Sequence, residues 1–292
     1  MAAVNMLGSD IEVFGYKTGQ RADVVTPAFD ILEGDVDIEL PYGKVYPDGA
    51  ANEFTVEPSS DPTVMADRIF ANYSAISELM AKRGYSPSLC SYAYVGKNNI
   101  DRFPESFGKR ASLQILGCNA DFRIYPGVEE TKRPDPKVFE YRTLGGHIHL
   151  SLPDLAEDKD KLVKLQCYGL ALDATVGLFT TINTPGDDER QRRRMYGLSG
   201  TYRTPVYGFE YRVPSAKALL LNKDRCRKIF AMAKIAVDMI AERIERVGIM
   251  DAIQPMVVNS SSIRTAIDGV DRENAAYIFK YLDFARKVEA KC

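Results

Sequence analysis

Polar and apolar residues alternate in four short stretches of the chain, and apolar residues recur at helical spacing in three longer ones. In "GSDIEVF", Asp10 and Glu12 alternate with Ile11 and Val13. In "NEFTVEP", Glu53, Thr55 and Glu57 share one parity, and in "GGHIHLSL" His147 and His149 do. In "YGFEYRVPS", Glu210 and Arg212 alternate with Phe209 and Tyr211. Side chains two apart on a strand point to one face, so each stretch predicts a strand with a polar side and an apolar side. "SLQILGCNADFRIYP" predicts one or two further strands. Between Asp61 and Gly84, residues Met65, Ile69, Phe70, Tyr73, Ile76, Leu79 and Met80 follow helical spacing, with Asp61 as cap, Pro62 at the first position and Gly84 as stop. A second helix is predicted from about Lys159 to Ile182, and the chain is helical almost throughout after Asn222. Gly248 to Ser262 reads as a loop or short-helix break in that region.

Strands and helices are mixed early and helices dominate late, with no regular βαβ alternation. That argues for an α+β fold with a largely antiparallel sheet. The expected organisation is a single catalytic domain over 1–292, with a sheet-rich core over 1–220 and a C-terminal helical region over 221–292 packed on it.

Composition narrows the function classes. Hydrophobic residues make up 45% of the 292, enough for a sizeable core. The formal net charge of −2 gives no bulk attraction to nucleic acid or an acidic membrane surface. No apolar run approaches the roughly 20 residues a bilayer-spanning helix needs. "MAAVNMLGSD" lacks a basic segment followed by an apolar one, so a cytoplasmic, soluble, globular protein is expected. The five cysteines are scattered and form no CxxC pair, which points away from a zinc knuckle or a disulfide framework. Cys118 reads as a small buried residue.

The two histidines of the chain, His147 and His149, stand on one predicted strand face. For any single strand, polar alternation means a solvated face more often than a site. Convergence changes that balance. If the four strands are neighbours, their polar faces gather several carboxylates and two imidazoles. Such carboxylates repel one another, and a divalent cation relieves the repulsion. A carboxylate-rich set with one or two nitrogens suits Mg²⁺ or Mn²⁺ better than zinc. Magnesium commonly shares its coordination with substrate phosphates, and Arg142, Arg203 and Arg212 lie beside or within these strands as phosphate partners. Neither a GxxxxGK[ST] loop nor a strand-linked GxGxxG is present. Gly145 and Gly146 suggest close approach of backbone or ligand. "DDERQRRRM", residues 187–195, reads as a solvated helix face or loop. Asp121 is either a turn cap or a substrate contact.

"GSDIEVF", "DGAANEFTVEP", "LGCNADF", "RTLGGHIHL" and "GLSGTYRTPVYGFEYRVPS" occur in that order. The set resembles the phage-encoded carboxylate-amine ligases of type 2, members of the glutamine synthetase and glutamate-cysteine ligase superfamily, over about residues 7–220. The resemblance implies a curved, mainly antiparallel sheet forming a funnel, with helices on its outer face. It implies ATP and Mg²⁺ or Mn²⁺ as cofactors, phosphorylation of a carboxylate, and displacement of phosphate by an amine to form an amide or peptide-like bond. Carried over by position, Asp10, Glu12, Glu53, His147 and Glu210 are the metal ligands. Asp10 stands where glutamine synthetases have Glu. Glu57 shares a face with Glu53 and has a weaker claim. His149, Arg142, Arg203 and Arg212 are expected to bind the nucleotide, with Arg203 and Arg212 also acting on the transferring phosphoryl group. Asp121 is the candidate for substrate binding or base. Expected partners are small-molecule or peptide acids and amines, with no nucleic acid or membrane, and an oligomer remains open. The competing classes are a metal-dependent hydrolase using the two His and the carboxylates, and a non-catalytic binding module that keeps the fold.

Overall fold

The structure, a computed structural model, describes residues 3–115, 122–125, 134–155 and 157–292. Its strands are β1 (Leu7–Lys17), β2 (Ile38–Leu40), β3 (Gly43–Asp48), β4 (Ala51–Ser59), β5 (Tyr85–Ser88), β6 (Tyr92–Tyr94), β7 (Phe122–Arg123), β8 (Tyr141–Thr143), β9 (Gly146–Ser151), β10 (Thr201–Arg203) and β11 (Gly208–Tyr211). The α-helices are α1 (Ala28–Leu32), α2 (Pro62–Lys82), α3 (Lys97–Arg102), α4 (Lys161–Leu172), α5 (Leu178–Asn183), α6 (Asp187–Arg193), α7 (Ala216–Leu220), α8 (Lys223–Val247), α9 (Ile249–Asp268), α10 (Arg272–Tyr281) and α11 (Asp283–Glu289).

The main sheet runs β2-β3-β4-β1-β9-β11-β10-β7, and every pairing in it is antiparallel. The far end of β1 leaves this path and pairs with β5, and β6 pairs with β8 in a separate ribbon. This is the expected α+β fold with a large antiparallel sheet. The four strands read as alternating are neighbours in it, in the order β4-β1-β9-β11.

The alternation places an apolar layer on one side. Ile11, Val13, Phe54, Ile148, Leu150, Phe209 and Tyr211 are completely buried, and α2, α4, α7 and α8 pack on these strands. Burying a side chain of this size contributes about 1.5–3 kcal/mol relative to exposure, so a slip of one residue in register would cost the whole layer.

α2 begins as its sequence dictates. The Asp61 carboxylate accepts from the Thr63 amide at 2.7 Å, Pro62 takes the first helical position, and Gly84 follows the end at φ +81°. The helix predicted from Lys159 is present as α4 and α5, joined by a π-helical turn at Asp173–Gly177. Lys161–Asn183 is long and apolar enough to cross a membrane by length and composition, and 72% of its most apolar window is buried inside the protein. The loop expected over Gly248 to Ser262 is instead helix α9. Gly248, at φ +83°, separates it from α8, and Pro255 lies inside it. Proline cannot donate to the carbonyl four residues back. That carbonyl, of Asp251, accepts from Arg243 at 3.1 Å, which is why the helix continues.

Candidate functional site

The strand registers bring the acids together. Glu12 stands opposite Glu53 on β4, and Asp10 stands opposite His147 on β9. Glu210 on β11 stands opposite both His149 and Arg203. Directly opposed residues share a face, so one side of the sheet gathers all of these groups.

They form two sets of donors, each lying within 4.8 Å: Asp10, His147, His149 and Glu210, and Glu12, Asp48 and Glu53. In the first, His147 Nδ1 lies 2.6 Å from Asp10 Oδ1 and 3.4 Å from Glu210 Oε1. His149 Nε2 lies 3.2 Å from the same Asp10 oxygen. His147 is buried, and its Nδ1 makes no hydrogen bond despite the close approach to Asp10. Burial alone would raise Asp10, but His147 and His149 together hold it well below the usual carboxylate range. Burial likewise opposes charge on His149, and Asp10 and Glu210 outweigh it, so that group is raised.

In the second set the charges are alike. Burial raises Glu53 well above the ordinary value, and Asp10, Asp48 and Glu12 push it further. Asp48 is pushed up to about 6 by burial and by Glu12. Tyr46 donates to Glu53 at 2.7 Å, and the Gly145 amide donates to Glu12. Buried carboxylates that push one another further toward protonation, together with a buried imidazole nitrogen that lacks a hydrogen-bond partner among carboxylate oxygens, make a donor set that fits hard divalent cations.

A cleft of about 190 Å³ opens on this face, lined by Asp10, Glu12, Tyr46, Asp48, Glu53, Lys109, Arg110, His147 and Arg203. Arg203 Nη1 lies 3.8 Å from Glu210 Oε2, and the buried Arg212 donates to Glu210 Oε1. On one flank lies a cavity of about 420 Å³ lined by residues including Gly8, Thr55, Val56, His149 and Tyr207. On the other lies a cavity of about 100 Å³ between Glu12 and Asp48 and the apolar residues Phe14, Phe139, Tyr141 and Met195.

Asp10, Glu12, Glu53, His147, His149, Glu210, Arg203 and Arg212 thus meet on one face. Glu57 is exposed and belongs to neither set of donors. Asp121 lies outside the described residues, as does Cys118. The two Nη groups of Arg142 donate to the carbonyls of Leu113, Pro136, Phe139 and Tyr141 and so tie the β8 region together, while the residue also lines the cavity beside Glu12 and Asp48. Burial lowers it to about 10, which leaves it charged near neutrality.

The glycines differ from expectation. A Cβ on Gly145 would meet His147 Nε2 at 2.3 Å, and one on Gly146 would meet the Ser215 carbonyl at 2.6 Å. The space they leave is filled by the protein itself and admits no ligand.

The reading of residues 187–195 as a solvated face is overturned as well. α6 is anchored by buried charges: Arg192 is completely buried and Glu189 and Arg193 nearly so. Arg192 donates to the carbonyls of Leu144 (2.6 Å), Val213 (3.0 Å) and Pro214 (2.9 Å), and Arg193 to Val213 (2.7 Å). Ser91 and Ser215 both donate to Glu189. The helix therefore clamps the segment entering β9 to the segment leaving β11. A run of like charges in sequence gives no sign of which members find carbonyls.

Asp48, Tyr46 and Tyr196 were not singled out from sequence. Asp48 and Tyr46 share the parity of Glu53 across the β3–β4 hairpin, in "YPDGAANE", where the turn could have revealed them. Tyr196 lies in a turn, with no periodic signal.

Residues 135–256 match the family model described as phage phiEco32-like COOH.NH2 ligase-type 2. That match spans 122 of the 292 residues. The chain is also similar to the ligand-free structure of GmaS, at 13% identity over 98% of this chain and 72% of that one, with a TM-score of 0.42. It is similar to a glutamine synthase homolog, at 11% identity over 98% of this chain and 66% of that one, with a TM-score of 0.41. A GmaS/ADP complex aligns at 13% identity over 97% of this chain and 69% of that one, with a TM-score of 0.37. No curated protein matches the chain.

Proposed function

We propose that the protein is a carboxylate-amine ligase that uses ATP and Mg²⁺ or Mn²⁺ and joins its substrates through an acyl phosphate. The observation that carries the reading is the pair of adjoining acidic sets on one strand face, with a buried imidazole nitrogen that lacks a hydrogen-bond partner in one of them. Asp10, His147 and Glu210 would hold one cation, and Glu12, Asp48 and Glu53 another. Bound there, the cations would neutralise phosphate oxygens and the substrate carboxylate.

The remaining residues position and stabilise. Phosphoryl transfer depends on alignment and on cations around the moving charge. Arg203, at the cleft, and Arg212, behind Glu210, are the arginines assigned to that charge. The nucleotide is assigned to the 420 Å³ side, beside His149 and Tyr207. The carboxylate substrate is assigned to the side of Phe14 and Tyr141. The γ-phosphoryl group passes to a carboxylate oxygen and ADP leaves. The amine nitrogen then attacks the acyl carbon, phosphate departs, and the amine proton goes to a base. Asp121 is proposed for substrate binding or for that base.

The test is to incubate the protein with ATP, Mg²⁺ and pooled acids and amines, following phosphate release and new amides by mass spectrometry. Substrate-dependent turnover that is absent from Glu12→Gln and Glu210→Gln is expected. Amide formation that needs no nucleotide would overturn the ATP assignment.

A further inference from the structure

Tyr196 belongs to neither set of donors, yet it joins His147 to Arg212. Its hydroxyl lies 2.6 Å from His147 Nε2 and accepts from Arg212 Nη2. The ring is held in the turn after α6, where its amide donates to the Arg192 carbonyl at 2.8 Å. The guanidinium carbons of Arg192 and Arg212 lie 5.2 and 5.3 Å from its centroid.

A guanidinium only donates, so toward Arg212 the hydroxyl is an acceptor, and a phenolic oxygen can accept a second bond. On the other side of the imidazole, Nδ1 is buried without a hydrogen-bond partner, 2.6 Å from Asp10 Oδ1 and 3.4 Å from Glu210 Oε1. We propose that Tyr196 is a positioning residue for cation binding: it accepts the Nε2 proton of His147 and so fixes the tautomer whose bare Nδ1 faces Asp10 and Glu210. The inference rests on the ligase reading above. The two ring nitrogens of a neutral imidazole have opposite roles, so an acceptor fixed at Nε2 leaves a lone pair at Nδ1. Histidine ligands generally donate their other ring N–H to a fixed acceptor, and losing that acceptor lowers metal affinity about 10–100-fold.

The test is a Mn²⁺ titration of the full chain by calorimetry and electron paramagnetic resonance, with Tyr196→Phe and Tyr46→Phe beside the wild type. Tyr196→Phe is expected to weaken one binding phase about 10–100-fold and to leave the other in place. Tyr46→Phe, which touches only Glu53 of the second set, is expected to move the other phase. Nitrogen-15 spectroscopy of the Mg²⁺-loaded wild type reads the tautomer directly and decides the matter even if the variant fails to fold. With two histidines in the chain, His149→Gln assigns the rings. A proton on Nε2 of His147 and a bare Nδ1 are expected. A proton on Nδ1, or a Tyr196→Phe isotherm that overlays the wild type, overturns the inference. A wild type that binds neither ion overturns the cation centre itself, and the inference with it, so the two failures are distinguishable.

Discussion

Glu12 and Glu53 stand directly opposite each other across the β1–β4 ladder, two like charges in a position where opposite charges would stabilise the pairing. The sheet tolerates this because its other face is packed and mostly apolar. The same relationship predicts that a divalent cation stabilises the fold. At a concentration of 100 times the dissociation constant the gain is about 2.7 kcal/mol, or roughly 4–5 °C in melting temperature. Glu53→Gln removes one charge of the pair. Its metal-free form should melt no lower than the wild type, and its Mg²⁺-dependent rise should shrink. Differential scanning calorimetry with and without Mg²⁺ reads both. A full Mg²⁺ shift in the variant would remove Glu53 from the cation's surroundings.

Protons and cations should compete at this face. Asp48 is raised to about 6 and Glu53 is raised well above its ordinary value. A carboxyl whose folded value is raised holds a proton that the unfolded chain has already released. Metal-free stability is therefore greatest below the ordinary carboxylate range and falls as pH climbs toward about 6. Asp10, lowered well below its ordinary value, acts the opposite way, but only in more acidic solution. Urea unfolding of the metal-free protein should show the decline across that window, and saturating Mg²⁺ should flatten it. Cation binding near pH 5 should release about one proton, measurable by calorimetry in buffers of different ionisation enthalpy. No buffer dependence would contradict the shared protonation of Asp48 and Glu53.

Arg192 should matter more to the fold than an arginine in a charged run suggests. Its Nε and both Nη groups are committed to three carbonyls on two segments. Lysine cannot reproduce that planar fork. Arg192→Lys leaves buried carbonyls without donors, at about 1–3 kcal/mol for each group left unmade. A lower urea midpoint is expected, by an amount far beyond that of Arg190→Lys on the exposed side of the same helix. Equal midpoints for the two variants would remove the clamp from the account.

How much of this was legible in sequence depended on periodicity. Asp10, Glu12, His147 and Glu210 lie in segments with strict alternation, and alternation names a face before any register is known. Arg212 shares the parity of Glu210 and follows it just past the strand's end. Neighbouring strands then turned four separate faces into one site. Asp48, Tyr46 and Tyr196 escaped because turns and short strands carry too few residues to show a period. Arg192 was misread for a different reason. A guanidinium can serve a phosphate or a buried carbonyl equally well, and only the path of the backbone decides which it meets. The helix through Pro255 was hidden because the donor that rescues its free carbonyl, Arg243, comes from another helix.

The two glycines before His147 can be separated by experiment because different atoms fill their space. A methyl at Gly145 would meet the His147 ring, whose Nε2 lies 2.3 Å from its ideal position, and a side chain can swing aside. Movement of that ring breaks the contact with Tyr196 and turns Nδ1 away from Asp10, while the Gly145 amide can still donate to Glu12. A methyl at Gly146 would meet the Ser215 carbonyl at 2.6 Å, and backbone on both sides has little room to give. Gly145→Ala is therefore expected to keep most of its stability and lose cation affinity about 10–100-fold, the usual cost of disturbing a histidine ligand's support. Gly146→Ala is expected to lose stability first, by about 1–3 kcal/mol as overpacked positions do. Chemical denaturation and Mn²⁺ titration of both variants test the contrast. If Gly145→Ala unfolds as readily as Gly146→Ala, the His147 ring is part of the packed core and not an adjustable ligand.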